Sequence, residues 1–411
     1  MDLAREALET RAVLDAAWAS LPDALRLPTQ FLGRHFAGCG GCYLGRGANA
    51  VAPRPVGEIQ AQMRAIRSWL GPGGNLQLTD GEVTLRAESE LIELIAYARS
   101  IGLVPMLMTH GETFRREPEM LERLMTAAGL TEVCFHVDTT MRGRGDGFAA
   151  ARTEADLDPL RAEFADLIRR ARRRTGRRLE CASTVTVTHE NLDGVAGIVR
   201  WFLRNADAFK MVSFQPLAAV GRTQASLQGV SDEALWQRIA EGAGNAELGR
   251  SYGYLGHPQC SRFVQGVAVR RRGATTLVPL YRGDDPADAR SIDALFHRIG
   301  GASFRLDTGA QALRRAAALL GRHGAVLVRH GVPYLWRLAR RVRTVRARYF
   351  CIVSHRFMSA AETDTAIGRE RLAACAFRVP IGDRLEPMCA VNARGLRDAF
   401  YRGTATANGD A

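Results

Sequence analysis

The sequence predicts an α/β protein, a partial (β/α) barrel followed by a carboxy-terminal α+β accessory domain. Three observations predict it. Short extended runs alternate with amphipathic helical runs between residues 75 and 215, polar clusters recur where those extended runs should end, and the alternation stops near Gly283. Repeated strand–helix units of this length imply a parallel sheet with right-handed crossovers. The functional edge of such a sheet is the carboxyl ends of its strands, where loops converge.

The elements follow in order. Asn75 to Thr79 reads as a strand, and Leu91, Leu94, Ile95 and Ala98 then keep helical spacing until Gly102. Val104 to Thr109 is the next strand; Met120, Leu121, Leu124, Met125 and Ala128 mark a helix closed by Gly129, and Val133 to Val137 is extended. A charged helix over about Ala155 to Arg173 leads to the strand Leu179–Thr188, a helix over Leu192–Asn205 and a strand over Phe209–Gln215. After Gly283 helical segments dominate, with a loop-rich finish containing Ser354-His355-Arg356-Phe357-Met358 and Pro387-Met388-Cys389. The expected organisation is a helical segment over 1–33, a barrel core over 34–265 and an accessory domain over 266–411.

Bulk properties narrow the function classes. The stretch from Met1 to Pro22 intersperses Asp2, Glu6, Glu9 and Asp15 with apolar residues, unlike a signal peptide. No uninterrupted apolar run is long enough to cross a bilayer. These features place the chain in the cytoplasm. A formal charge of +13 would suggest a polyanionic partner, but Lys210 is the only lysine among abundant Arg and Ala, a bias that GC-rich coding produces on its own. No specific nucleic-acid partner is expected. The segment Leu335 to Arg348 sets Arg337, Arg340, Arg341, Arg343, Arg346 and Arg348 among apolar residues, a pattern that suits either a peripheral membrane contact or a solvated helix face.

Four polar clusters fall at equivalent strand ends: Thr79-Asp80-Gly81-Glu82, Thr109-His110-Gly111, His136-Val137-Asp138 and Thr188-His189-Glu190-Asn191. Taken singly, Asp80-Gly81-Glu82 reads as a strand-ending turn, His136 as a core histidine and Asp138 as a helix cap. Taken in order, Leu78 to Leu85 resembles the Gly-Gly-Glu segment of the radical S-adenosylmethionine superfamily, with Asp80 replacing the first glycine. Thr109-His110-Gly111 resembles the superfamily's Thr-Asn-Gly strand end, and Ala128-Gly129-Leu130 through Val137-Asp138 resembles its next turn and strand. Phe214-Gln215-Pro216, Gly221-Arg222 and His257-Pro258-Gln259-Cys260 are similar to the branch containing archaeal tetraether lipid synthases and pterin-modifying methyltransferases. The likeness covers about residues 30 to 265.

The resemblance implies a partial barrel of the radical SAM type that binds S-adenosylmethionine through Asp80, Gly81, Glu82, Thr109, His136 and Asp138. Glu82 would hold the methionine ammonium, and Asp138 and His136 the ribose hydroxyls. It also implies a [4Fe-4S] cluster held by Cys-x3-Cys-x2-Cys, whose place here is taken by His35, Cys39 and Cys42. Three readings of that segment stand: a histidine-ligated cluster, a deletion that joins two distant pieces and leaves Cys42 as the true ligand, or half of a zinc site. Cys260, Cys351, Cys375 and Cys389 are candidate ligands of an auxiliary iron–sulfur cluster or dispersed buried thiols, and Cys134 and Cys181 are packing residues. His257 and His355 serve substrate chemistry or local hydrogen bonds.

The implied function is reductive cleavage of S-adenosylmethionine to a 5′-deoxyadenosyl radical acting on a small-molecule or lipid substrate, lipid-like or pterin-like by the branch, with an electron donor such as a flavodoxin or ferredoxin. The alternative is a cofactor-binding or scaffold protein derived from such an enzyme but unable to build the cluster.

Overall fold

The computed structural model describes residues 29–31, 42–44, 53–141, 145–250, 253–271, 273–282, 285–299, 309–343, 347–382, 384–397 and 399–400. His35 and Cys39, two of the three expected cluster ligands, lie outside the described residues.

The chain runs β1 (Thr29–Phe31), α1 (Val56–Leu70), β2 (Asn75–Thr79), α2 (Glu88–Ser100), β3 (Val104–Thr109), α3 (Glu112–Arg116), α4 (Pro118–Ala127), β4 (Glu132–His136), α5 (Asp158–Thr175), β5 (Glu180–Val187), α6 (Val195–Arg204), β6 (Met211–Pro216) and α7 (Asp232–Gly242). The helices form where the apolar residues repeat at helical spacing. Ile59, Met63, Ile66 and Leu70 line the buried side of α1; Leu91, Leu94, Ile95 and Ala98 line that of α2. In α5, Pro159 sits in the first turn, and Leu160, Phe164, Ile168 and Ala171 turn inward. Phe164 stacks on Phe135 of β4 at 4.2 Å between ring centroids, which ties this helix to the sheet.

Among the described residues, nine strands make one sheet in the order β1-β2-β3-β4-β5-β6-β9-β7-β8. Each neighbouring pair from β1 to β6 is parallel, as the strand–helix alternation requires. From β1 to β6 the strand order follows the chain order, so these units step in one direction around an open barrel wall. Leu76, Leu78, Leu107, Val133, Phe135, Val185, Val187, Val212 and Phe214 share the main core with the helices. The alternate residues of the same strands face the other way.

The later elements are β7 (Ser261–Arg271), β8 (Ala274–Pro279), α8 (Pro286–Ile299), α9 (Gly309–Val326), α10 (Val332–Val342), β9 (Ala347–His355), α11 (Ala360–Thr363), α12 (Ala366–Ala373), β10 (Arg378–Ile381), β11 (Arg384–Pro387) and α13 (Met388–Ala393). Here the structure departs from the sequence reading. β9 joins the core sheet in parallel with β6, and β7 pairs antiparallel with both β9 and β8. The boundary drawn at residue 265 therefore falls inside β7, and Ser354 and His355 end a strand where a loop was expected. Thr29–Phe31, inside the segment read as helical, is a strand paired with β2. The basic helix is also shorter than its pattern, because Arg343 takes φ +47° and Ala347 already belongs to β9.

Candidate functional site

The concave face of the sheet carries the chemistry. Strand alternation places Gln77 and Thr79 of β2, Met106 and Met108 of β3, Cys134 and His136 of β4, Thr184 and Thr186 of β5, and Met211, Ser213 and Gln215 of β6 opposite the helix-facing core residues. Gln77, Thr79, Met108, His136, Met211 and Gln215 are half-buried. Met106, Cys134 and Ala182 pack as a small separate apolar floor with Met108 and Met211 beside them. Ser213 Oγ is buried on this face without a hydrogen-bond partner, a position where a polar ligand atom would be stabilised.

At the carboxyl end of β2 the backbone turns through two left-handed residues, Asp80 at φ +75° and Gly81 at φ +84°. Asp tolerates this conformation better than most side chains, so it can stand where the resembling segment has glycine. Its carboxylate is held within the protein: Tyr43 Oη donates to Oδ1 at 3.1 Å, and Arg397 Nε lies 3.0 Å from Oδ2. The Arg397 guanidinium also lies over the Tyr43 ring at 5.0 Å. Burial, and then the charge of Asp80, push the Tyr43 phenol well above its ordinary range.

Glu82 is 1% exposed. Its Oε1 accepts from Thr84 N (3.1 Å), Thr84 Oγ1 (2.5 Å) and Thr109 Oγ1 (2.6 Å); its Oε2 accepts from His110 N at 2.9 Å and lies 3.2 Å from His110 Nε2. Thr109 is engaged at the same time, since its hydroxyl oxygen accepts from Gly111 N at 2.9 Å. Glu82 and Thr109, read from the sequence as cofactor contacts, instead tie the ends of β2 and β3 together. The physical reason is saturation: a carboxylate surrounded by this many internal donors has no exposed lone pair for an ammonium. Gly111 completes the turn, because at φ +84° a Cβ would lie 2.5 Å from the Phe164 ring.

Asp138 departs from its expected role in the same way. It is fully buried; Oδ1 accepts from Thr140 N and Oγ1, and Oδ2 accepts from Thr186 N at 2.6 Å and faces His136 Nε2 at 2.6 Å. Burial opposes its charge, but His136 and these hydrogen bonds outweigh that and hold the carboxyl below the usual range. His136, at 26% side-chain exposure, is the member of the pair that a ligand can touch. Asp138 sets its orientation.

A second buried network, with no sequence signal beyond its charges, supports the neighbouring loops. Arg161 Nη2 donates to Glu154 Oε2 at 2.5 Å, with both side chains 1% exposed. Glu154 Oε1 accepts from Thr139 N and Oγ1 and from Asn191 Nδ2, linking the loop after β4 to the loop after β5.

Cys42 is described and buried, and its neighbourhood is the same rim. Arg222 N donates to Cys42 O (3.0 Å) and Leu44 O (2.8 Å). Gly221 allows that approach, because a Cβ there would sit 2.3 Å from the Tyr43 carbonyl carbon. The loop after β6 and the turn after β2 thus clasp the Cys42-Tyr43 pair from two sides.

Among the described residues no three His, Cys, Asp or Glu side chains converge as a metal site. Cys351 lies inside β9, where burial pushes its thiol up to about 12. Cys260 receives Arg371 Nε at 3.4 Å. Burial and then Cys260 raise the Cys375 thiol, and burial and then Cys375 raise that of Cys389 to about 12. Cys134 and Cys181 are buried in β4 and β5, as their packing role requires. His257 Nδ1 accepts from Gln259 N at 3.1 Å, a local hydrogen bond. His355 is buried with Nδ1 unpartnered, its ring edge-on to Phe377 at 4.8 Å, and burial lowers its pKa to about 4.

Comparison with protein-family models finds no match, and comparison with curated proteins finds none either. Among solved structures, Streptococcus suis SuiB bound to precursor peptide SuiA aligns at 14% identity and TM-score 0.38, over 53% of this chain and 45% of that one. Native anSMEcpe with bound AdoMet aligns at 13% identity and TM-score 0.30, over 45% and 50%. A family 18 N-acetylglucosaminidase of Paenibacillus barengoltzii aligns at 13% identity and TM-score 0.29, over 62% and 76%. The matched region spans about half the length of SuiB and anSMEcpe. At these scores the likenesses assign no family.

Proposed function

We propose that the concave face binds S-adenosylmethionine and that the chain is a radical SAM-type enzyme. The observation that carries this reading is the seating of Cys42-Tyr43 on the rim, with Tyr43 bonded to Asp80 and the backbone held by Gly221 and Arg222. Cys42 is a cluster ligand by the resemblance, and the Tyr43–Asp80 bond seats it beside the Asp80-Gly81-Glu82 turn, the segment that resembles the cofactor-binding one.

The face fits an adenosine and a sulfonium amino acid. The orphan Ser213 Oγ, the amides of Gln77 and Gln215, the Thr79 hydroxyl and the His136 imidazole offer polar partners, while Met108 and Met211 supply apolar surface. A reduced [4Fe-4S] cluster, when bound, supplies the electron that splits the sulfonium carbon–sulfur bond. Cys42 is the one expected ligand of that cluster among the described residues. His136, oriented by Asp138, binds ligand hydroxyls, and the buried carboxylates of Glu82 and Glu154 hold the rim loops in place. The substrate is a small molecule or lipid.

Anaerobic reconstitution with iron and sulfide tests the proposal. Bound iron and 5′-deoxyadenosine formed by the wild type, both lost in Cys42→Ala, are the expected result. A protein that binds S-adenosylmethionine by calorimetry but takes up no iron and forms no 5′-deoxyadenosine would establish the cofactor-binding alternative.

A further inference from the structure

Helix α10 is turned with its charges inward and its apolar side out. On the inner side Tyr334 Oη donates to Leu280 O at 2.7 Å, while Arg337 Nε and Arg341 Nη1 reach the fully buried Asp288 at 2.9 and 2.6 Å. These contacts fix which side faces the protein. The outer side then carries Val332, Leu335, Trp336 and Ala339, the i, i+3, i+4, i+7 spacing of one helix face. Leu335 and Trp336 are 59% and 56% exposed, and Val328 in the turn just before the helix is 67% exposed. Upstream, α9 buries no residue and exposes Leu313 and Leu320. Amphipathic helices of folded proteins ordinarily do the reverse.

The charge along this stretch of chain is of one sign. No Asp or Glu occurs from residue 308 to residue 361, while Arg314, Arg322, Arg329, Arg340 and Arg343 are exposed along the same helices. The Arg340 guanidinium stacks on the Trp336 ring at 3.3 Å, so the aromatic and the cation present themselves together. An apolar stripe flanked by arginines and free of acids matches an anionic lipid interface, where the stripe enters the acyl boundary and the guanidinium groups meet the headgroups. A second copy fits poorly, because a two-fold contact would set arginine against arginine. Among the described residues no helix is long and apolar enough to cross a membrane, so the contact is with the surface.

We propose that α10 docks this protein on the surface of an anionic bilayer. Co-sedimentation of the full chain with vesicles of phosphatidylcholine alone, or of phosphatidylcholine and phosphatidylglycerol at about 3:1, tests it. The wild type should bind the anionic vesicles and not the neutral ones, with binding that falls as salt rises. Replacing Leu335 and Trp336 together by Glu should weaken binding at least ~10-fold and leave the circular dichroism melt unchanged, since both side chains are exposed. In a second readout, vesicles should blue-shift the tryptophan emission of the wild type but not of Trp336→Phe, which still sediments with them. Binding to neither vesicle, equal binding to both, wild-type binding by the double Glu variant, or a dimer in sedimentation equilibrium that this variant abolishes would each overturn the proposal.

Discussion

Replacing Glu82 by Ala separates the two roles available to that carboxylate. In the structure it accepts from two backbone amides, Thr84 N and His110 N, and from the hydroxyls of Thr84 and Thr109, all in a site 1% exposed. The hydroxyls can rotate toward other acceptors, but the amides cannot. Each buried amide left without a partner costs about 1–3 kcal/mol, so the truncation should destabilise the fold by about 2–6 kcal/mol. Urea denaturation followed by circular dichroism measures this as a lower midpoint at constant slope. S-adenosylmethionine affinity, measured by calorimetry on the fraction that remains folded, should fall only as far as the rim loosens. A variant with wild-type stability that no longer binds the cofactor would refute the reasoning and return Glu82 to direct contact with the ligand.

Two further outcomes follow from buried charge. His355, unpartnered at Nδ1 and lowered by burial to about 4, folds as the neutral imidazole, whereas an unfolded histidine titrates near 6.5. The unfolded chain therefore binds the proton first: the stability is complete above about pH 6.5 and is lost as pH falls toward 4, by about 3 kcal/mol. Urea midpoints measured across this window should depend less on pH in His355→Gln, and an unchanged slope would refute the assignment. Arg161→Ala strands the buried Glu154 carboxylate and should cost about 3–5 kcal/mol; a thermal midpoint within a degree of wild type would show that the pair is not structural.

Much of the barrel wall is legible in the sequence. The runs Asn75–Thr79 and Val104–Thr109 are strands residue for residue, because short extended runs flanked by Gly74, Gly81, Gly102 and Gly111 mark their limits locally. The rim order is legible for the same reason, since a strand end is a local event. The roles of the rim residues are not. Thr186 N reaches Asp138 from another strand, and Arg397 reaches Asp80 from the far end of the chain. Glu82, Thr109 and Asp138 are ligand contacts by resemblance, because a motif is visible in the sequence and the internal partners of its side chains are not. The insertion of β9 beside β6 is not legible either, because a late strand that returns to an early sheet leaves no periodic trace in between.

The sequence by itself determined that successive strands lie parallel and where the polar clusters fall. Those properties depend on period and on neighbours a few residues away. Only the tertiary structure decided which polar groups reach the surface of that face, leaving the His136 ring partly exposed and burying Glu82 and Asp138 among internal donors. It also decided that α10 shows solvent its apolar side, because the buried Asp288 draws Arg337 and Arg341 inward. A hydrogen bond or ion pair is satisfied by whichever donor the fold brings near, and that partner need not be near in the chain.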